Sequence, residues 1–208
     1  MARQRLSSGK GTRRTRAPGE RSRGRVLERA ARLATVEGLE GLTIGRLAEV
    51  TGMPKSSVYV LFGSKQDLQL ATIEAARASF AHEVVAPAAA LPAGRARLLA
   101  LCEGFLSYVE RRVFPGGCFF VSAAAEVGSK SGALHDRVAA IQDEWRDLLK
   151  AAARRAHADG DVAPGCDPDQ LAFELGALLT GANIVAVLHD DDRAIERARV
   201  AVRQRLGA

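Results

Sequence analysis

Lysine is scarce in this sequence, five among 30 basic residues, yet Lys55 and Lys65 fall within one short segment. Each stands at the start of an expected helix, near Pro54 and at Lys65, where backbone N–H groups lack intrahelical partners. Cations beside free N–H groups suit the holding of an anion without bond making. Covalent chemistry finds no frame: there is no phosphate-cradling glycine loop, no nucleophile elbow and no ordered pair of carboxylates. His82, His135, His157 and His189 are scattered, without ligand spacing to cysteine or acid. Cys102, Cys118 and Cys166 are odd in number and far apart, which supports neither a disulfide framework nor a zinc site. The expectation is a protein that is not an enzyme, with no metal and no cofactor. A reducing, cytoplasmic setting follows from the cysteine usage and from an N-terminus without the apolar stretch of a secretory signal.

The elements that must position these lysines read as helices. Val26, Leu27, Ala30, Leu33 and Ala34 recur at helical spacing from about Arg25, and Gly38 and Gly41 end that first helix. Thr43 can cap a second helix through Val50, Thr51-Gly52-Met53 is a tight turn, and Pro54 suits the first position of a third. Gly63-Ser64 closes the third, and Ser64 with Asp67 resembles a capping box for a fourth through about Val85. Helix, four-residue turn and helix is the frame of a DNA reader. Counting from Ile44, the fifth residue is the small Ala48 and the ninth is Gly52, where the turn asks for positive φ. Leu47, Met53, Val58 and Leu61 would fill the angle between the two helices. An ordinary helical hairpin is the competing reading, but these constraints are all met within about twenty residues.

Residues 25–70 closely resemble the N-terminal domain of TetR-type (tetracycline-repressor-like) regulators, through Thr43-Ile-Gly-Arg-Leu-Ala-Glu-Val-Thr-Gly-Met-Pro-Lys-Ser-Ser-Val-Tyr-Val-Leu-Phe-Gly-Ser-Lys-Gln-Asp-Leu68. The resemblance implies that Thr43 touches a phosphate, that Lys55, Ser56 and Ser57 open the recognition helix, and that Tyr59 and Lys65 meet phosphates. Arg46 and Val60 complete the expected DNA-binding set. The family often has an acid where Arg46 stands and an aromatic or His at Leu61; Arg46 adds a phosphate contact or is simply solvated.

The rest of the chain reads as all-α, about nine helices in total. Leu98, Leu101, Cys102, Phe105, Val109 and Val113 trace a fifth helix, Phe119 to Val127 a sixth, and Leu134 to Ala152 the stripe of a seventh. Asp169 to Leu188 and Arg193 to Leu206 complete the set. The expected domains are a disordered basic arm (1–24), a helix-turn-helix domain (25–70) and a helical dimerisation and ligand domain (71–208). The eighth helix is apolar nearly all round and so needs burial on more than one side, although its uncharged run of 14 residues, Leu175 to Leu188, is short for a bilayer. The resemblance implies a homodimer through the last two helices; Leu175, Leu178, Leu179, Ala182, Val185, Ile195 and Val202 are the expected interface, and a fully buried helix in a monomer is the alternative. Asn183 would pair across the dimer or meet a ligand. Phe105, Tyr108, Cys118, Phe119, Phe120 and Trp145 lie where the family's small-molecule pockets lie, or are plain core. Cys118 is a redox-sensing thiol or a small buried hydrophobe.

Charge separates the classes further. Residues 1–25 carry nine basic residues and one acid, whereas the remainder carries 21 basic and 23 acidic residues, so the net +6 comes from the N-terminal segment. A basic arm on a near-neutral body suits a polyanion, or is a solubilising tail. The expected partners are therefore double-stranded DNA as a palindromic operator, a second copy of the chain and a small-molecule effector, with no membrane. The function that follows is a sequence-specific transcriptional regulator, a repressor released from its operator by a ligand. An architectural DNA-binding protein without a ligand, or an activator of the same fold, are the alternatives.

Overall fold

The computed structural model describes residues 18–163 and 165–207, and the expected contacts of the basic residues from Arg3 to Arg16 lie outside them. Among the described residues the chain is helical and has no strand. Helix α1 (Pro18–Gly41) is followed by α2 (Ile44–Thr51), α3 (Lys55–Phe62) and α4 (Lys65–Phe80). The rod of α4 continues through a π-helical turn (Ala81–Val85) and a last α turn (Ala86–Ala89). Beyond it come α5 (Arg95–Glu110), α6 (Phe119–Val127), α7 (Ala133–Ala158), α8 (Pro168–His189) and α9 (Arg193–Leu206).

Three boundaries differ from the sequence expectation for identifiable reasons. Helix α1 begins at Pro18 rather than near Arg25. Proline is tolerated in a first turn, and arginine is a good helix former, so the helix extends without an apolar stripe. The α4 rod runs past Pro87 because the wide turn before it shifts the bonding: Ala86 N–H reaches the Ala81 carbonyl, and Pro87 has no N–H to place. Helix α5 stops at Glu110 instead of reaching Val113, since Arg112 turns to a positive φ of 49° and Phe114 drops into the core.

A continuous apolar core runs from Val26 in α1 to Leu206 in α9, so the N-terminal three-helix head and the body share one interior. Helix α1 belongs to both. On one side Ala30, Ala31 and Ala34 are buried against the head and α4; on the other, α1 meets the segment between α5 and α6. There Arg32 donates to the Val113 carbonyl at 2.8 Å, and the Gly116 N–H donates to Thr35 Oγ1 at 3.2 Å. Any side chain at Gly116 would collide with the Thr35 carbonyl.

Helix α8 is 22 residues long and is the one described helix long and apolar enough, by length and composition, to cross a bilayer. The expectation from its uncharged run alone underestimated this length. It packs along α7 and α9, with Leu171, Leu175, Leu179 and Ala186 buried, and leaves its opposite side open.

Gly116→Ala should therefore lower the melting temperature sharply and loosen the head from the body, because the added methyl has no room. Gly24→Ala, where a Cβ meets nothing within 4 Å, should instead be neutral or stabilising by up to about 1 kcal/mol. A thermal melt of the two variants beside the parent chain checks the contrast.

Candidate nucleic-acid interface

The head is built from turn chemistry. Thr43 takes extended backbone angles and its Oγ1 accepts the Arg46 N–H at 3.0 Å, which starts α2. Gly52 ends it in the left-handed region at φ 68°, its N–H and that of Met53 closing on the last carbonyls of the helix. Pro54 then stands just before α3, one place earlier than expected, and its carbonyl accepts from Ser57 and Val58. Leu47 and Val58 are fully buried at the crossing, and Met53 and Leu61 pack half-buried against them. Ser64 Oγ accepts the Asp67 N–H at 3.0 Å and donates to its carboxylate, the capping box of α4.

This packing decides what α3 shows to solvent. Val58 and Phe62 face inward, while Lys55, Ser56, Tyr59 and Val60 are exposed and Ser57 is half-buried. Tyr59 is 60% and Val60 84% exposed, high values for large side chains on a helix that has a core to fill. Sequence reasoning missed Phe62, whose buried ring also carries the Arg23 guanidinium 5.2 Å above it. Periodicity within an eight-residue helix gave too little signal to separate Leu61 from Phe62.

Two of the expected phosphate ligands are already engaged. The Arg46 guanidinium grips Glu37 through Nε and Nη2 and reaches Glu49 at 3.1 Å. Hydrogen bonding to Arg46 holds the Glu37 carboxyl below its ordinary pKa and raises that of Arg46. Lys65 Nζ lies 3.0 Å from Glu40, and this contact, with Lys130 at 3.8 Å, lowers the Glu40 pKa in the same way. All these groups are solvent-exposed, so the pairs are weak and exchangeable.

Behind the head lies a cavity of about 140 Å³ between α4, α5, α6 and α7. Of the six residues expected there, Phe105, Cys118, Phe120 and Trp145 line it. Tyr108 and Phe119 do not: both are core, Tyr108 edge-on to Phe80 and Phe114, and Phe119 against Phe114 and Phe120. Phe80 is the aromatic wall residue that the sequence reading passed over. It contacts Trp145 edge-on at 5.1 Å between ring centroids, and Trp145 in turn stacks on Phe105 at 6.1 Å. Arg77 and Glu144, paired at 2.7 Å, stand on the same wall set with Gln142 and Thr180. Burial pushes the Cys118 thiol up to about 11, so it stays protonated and serves the wall as a small hydrophobe rather than a reactive thiolate. Among the described residues no cluster of His, Cys, Asp or Glu could hold a metal ion.

A family model described as "Tetracyclin repressor-like, C-terminal domain" matches residues 94–202, more than half of the chain. The chain belongs to the TetR family of transcriptional regulators. A second model, "Bacterial regulatory proteins, tetR family", matches residues 26–72, the head itself. Among solved TetR structures, a transcriptional regulator from Chloroflexus aurantiacus is 30% identical, with a TM-score of 0.81 over 89% of this chain and 94% of that one. AibR, solved with isovaleryl coenzyme A and operator DNA, shares the fold at 22% identity, with a TM-score of 0.70 over 88% of this chain and 98% of its own. The transcriptional regulator AcuR of Cereibacter sphaeroides is 27% identical over 143 residues, which cover 66% of this chain and 64% of AcuR, less than two thirds of that relative.

Of the expected interface set, Leu175, Leu179, Ala182, Ile195 and Val202 are buried within the chain's own core and Leu178 is half-buried, while Val185 is exposed; Leu178, Ala182 and Val185 line an open groove between α8 and α9. The open face of α8 carries Phe173 at 70% and Leu188 at 72% exposure, with Ile184 between them in sequence, and Val200 is exposed on α9. Asn183 is also internal: its Oδ1 accepts the Cys118 N–H at 2.8 Å.

Phe80→Ala should cost about 3–5 kcal/mol of stability, because it removes the ring on which the aromatic wall closes. It should also shift the emission of Trp145, the single tryptophan, to longer wavelength. Denaturant titration followed by tryptophan fluorescence measures both at once.

Proposed function

We propose that this protein is a homodimeric, operator-binding repressor that a small molecule bound in the aromatic cavity releases from DNA. The observation that carries the DNA half of this reading is the outward face of α3. A helix-turn-helix unit whose second helix leaves Lys55, Ser56, Tyr59 and Val60 in solvent is built to lie in a major groove. Lys55, Ser56 and Ser57 then read base edges, and Val60 offers an apolar contact for a thymine methyl. Thr43, Tyr59 and Lys65 bind phosphates and set the register. Arg46 serves α2 by its pairing with Glu37, and exchanges to phosphate only when DNA outcompetes that acid. The basic N-terminal segment adds further phosphate contacts.

Two-fold operators favour two-fold proteins, and the open apolar side of α8, with the groove it forms against Ala194, Ala198 and Ala201 of α9, is the face for the second copy. Its side chains are Phe173, Ile184, Val185 and Leu188, flanked by the small Ala177 and Gly181 that admit a close helix. AibR, a neighbour of the same fold, binds both operator DNA and isovaleryl coenzyme A. The effector matched by these walls is largely apolar, with a polar end at Arg77, Glu144 and Gln142. The compartment that fits such a regulator is the cytoplasm.

Duplexes recovered by in vitro selection give the test. Tyr59→Phe and Lys65→Ala should weaken binding to selected and scrambled duplexes alike, with Lys65→Ala reducing the log–log salt slope by about 0.9. Ser57→Ala and Lys55→Ala should change the ratio between the two duplexes, and equal losses on both would remove the base-reading role. Ile184→Asp or Leu188→Asp should dissociate the dimer in sedimentation, since burying a lone carboxylate is costly. A variant that sediments as a dimer would place the interface elsewhere.

A further inference from the structure

Helix α6 has a different task at each end. At its start Phe120 and Val121, preceded by Cys118, wall the cavity. Near its finish Glu126 reaches out of the body to the turn that the kink at Gly38 makes in the last residues of α1, just ahead of α2 (the α1–α2 turn). Both carboxylate oxygens are used: Oε2 accepts the Leu39 N–H at 2.7 Å and Oε1 accepts the Glu40 N–H at 2.7 Å. Bonds from backbone N–H groups to a carboxylate are charge-assisted and short, among the stronger that a protein makes. The turn is shaped for them. Gly38 has φ 78° and ψ 163°, and a Cβ there would stand 3.0 Å from Glu126 Oε2, so glycine is needed for both the conformation and the space.

The same turn is held from α4, where the buried Gln69 Nε2 donates to the Leu39 carbonyl at 2.5 Å. Helix α4 also walls the cavity, through Arg77 and Phe80. Two cavity walls thus end on one turn of the head. Helix α6 is the shorter and stiffer route, about 13 Å for its nine residues, with Phe119, Ala123 and Val127 buried along it. Its start is fixed to α8 by the bond from the Cys118 N–H to Asn183. Movement of one end therefore moves the other, because a packed nine-residue helix shifts as a body rather than bending.

We infer that Glu126 is a positioning residue through which α6 transmits the state of the cavity to the α1–α2 turn, and so to the pitch of the DNA-reading helices. The inference rests on the ligand-release reading and names its route. A group that displaces α6 at Phe120 and Val121 draws Glu126 off the two N–H groups. Glu40 moves with its own N–H, and with it the acid that pairs with Lys65.

The experiment fills the cavity by mutation, so that no effector has to be known. Val121→Phe crowds it from α6, and Leu148→Trp crowds it from α7 should the first variant melt early. Each is made alone and with Glu126→Ala or Glu126→Gln, and bound to the selected duplex. The crowding change alone should alter affinity by about fivefold or more, the usual scale of allosteric coupling. Combined with Glu126→Ala it should alter affinity by less than about twofold, with Glu126→Gln, which keeps one acceptor, in between. Hydrogen exchange of the whole chain gives the second reading: the Leu39 and Glu40 amides should lose protection in Glu126→Ala, and in Val121→Phe only while Glu126 is present. Equal effects of crowding in both backgrounds, or crowding without effect on affinity and on both amides, would overturn the inference. If selection enriches no duplex, the DNA reading fails, and the amide exchange still decides whether Glu126 carries the movement.

Discussion

The approach of the Gly116 backbone to the Thr35 carbonyl is the constraint on which the rest of this structure depends. It lets the segment between α5 and α6 lie directly on α1, the helix that carries the reading head. With that contact made, Arg32 reaches the Val113 carbonyl from one side and Glu126 reaches the α1–α2 turn from the other. A side chain at Gly116 would lift α1 away and cost all three ties together. The head would then keep its own core of Leu47, Val58 and Leu68 but lose its fixed orientation to the cavity. The orientation of the head to the body, and part of the stability of the whole, thus hang on a few contacts around Gly116.

Charge is arranged with the same economy. Two of the cations proposed to meet DNA are paired with acids of α1, Arg46 with Glu37 and Lys65 with Glu40. Exposed pairs of this kind contribute little to folding, so exchanging them for phosphates costs the fold little. They keep the head from presenting a bare cationic surface, which would bind any polyanion. Lys55 and Tyr59 on the recognition helix stand free of such pairs among the described residues. The proposed base-reading and phosphate-binding surfaces are therefore charged by different means.

The head was legible in the sequence because its determinants are local. Gly52, Thr43, Ser64 and Asp67 act within four residues of themselves, and Leu47 and Val58 declare their burial through helical spacing. The ends of α6 and α9 were equally plain, bounded by glycine and by turn formers. What could not be read depended on distant partners. Helix α8 is apolar nearly all round, so periodicity could not say that Leu175 and Leu179 face α7 and α9 while Phe173 and Leu188 face outward. Tyr108 and Phe119 are aromatics on the same helices as the cavity residues Phe105 and Phe120, and only their packing against Phe80, Phe114 and Phe120 decides that they are core. Glu126 is the one acid of a short apolar helix, and neither motif nor spacing marks it. Its role is set by two N–H groups more than 80 residues earlier in the chain.

The measurement that tests the central claim most directly is the DNA sequence that the intact protein selects from random duplexes at moderate salt. Two heads fixed to one body and related by a two-fold axis should enrich an inverted repeat, with half-site centres separated by about 10–10.5 base pairs or a multiple of it. A single unrepeated site would contradict the dimeric reading head. Recovery of the starting pool unchanged, with binding that merely falls as salt rises, would contradict the account as a whole and leave a protein that holds DNA only by charge.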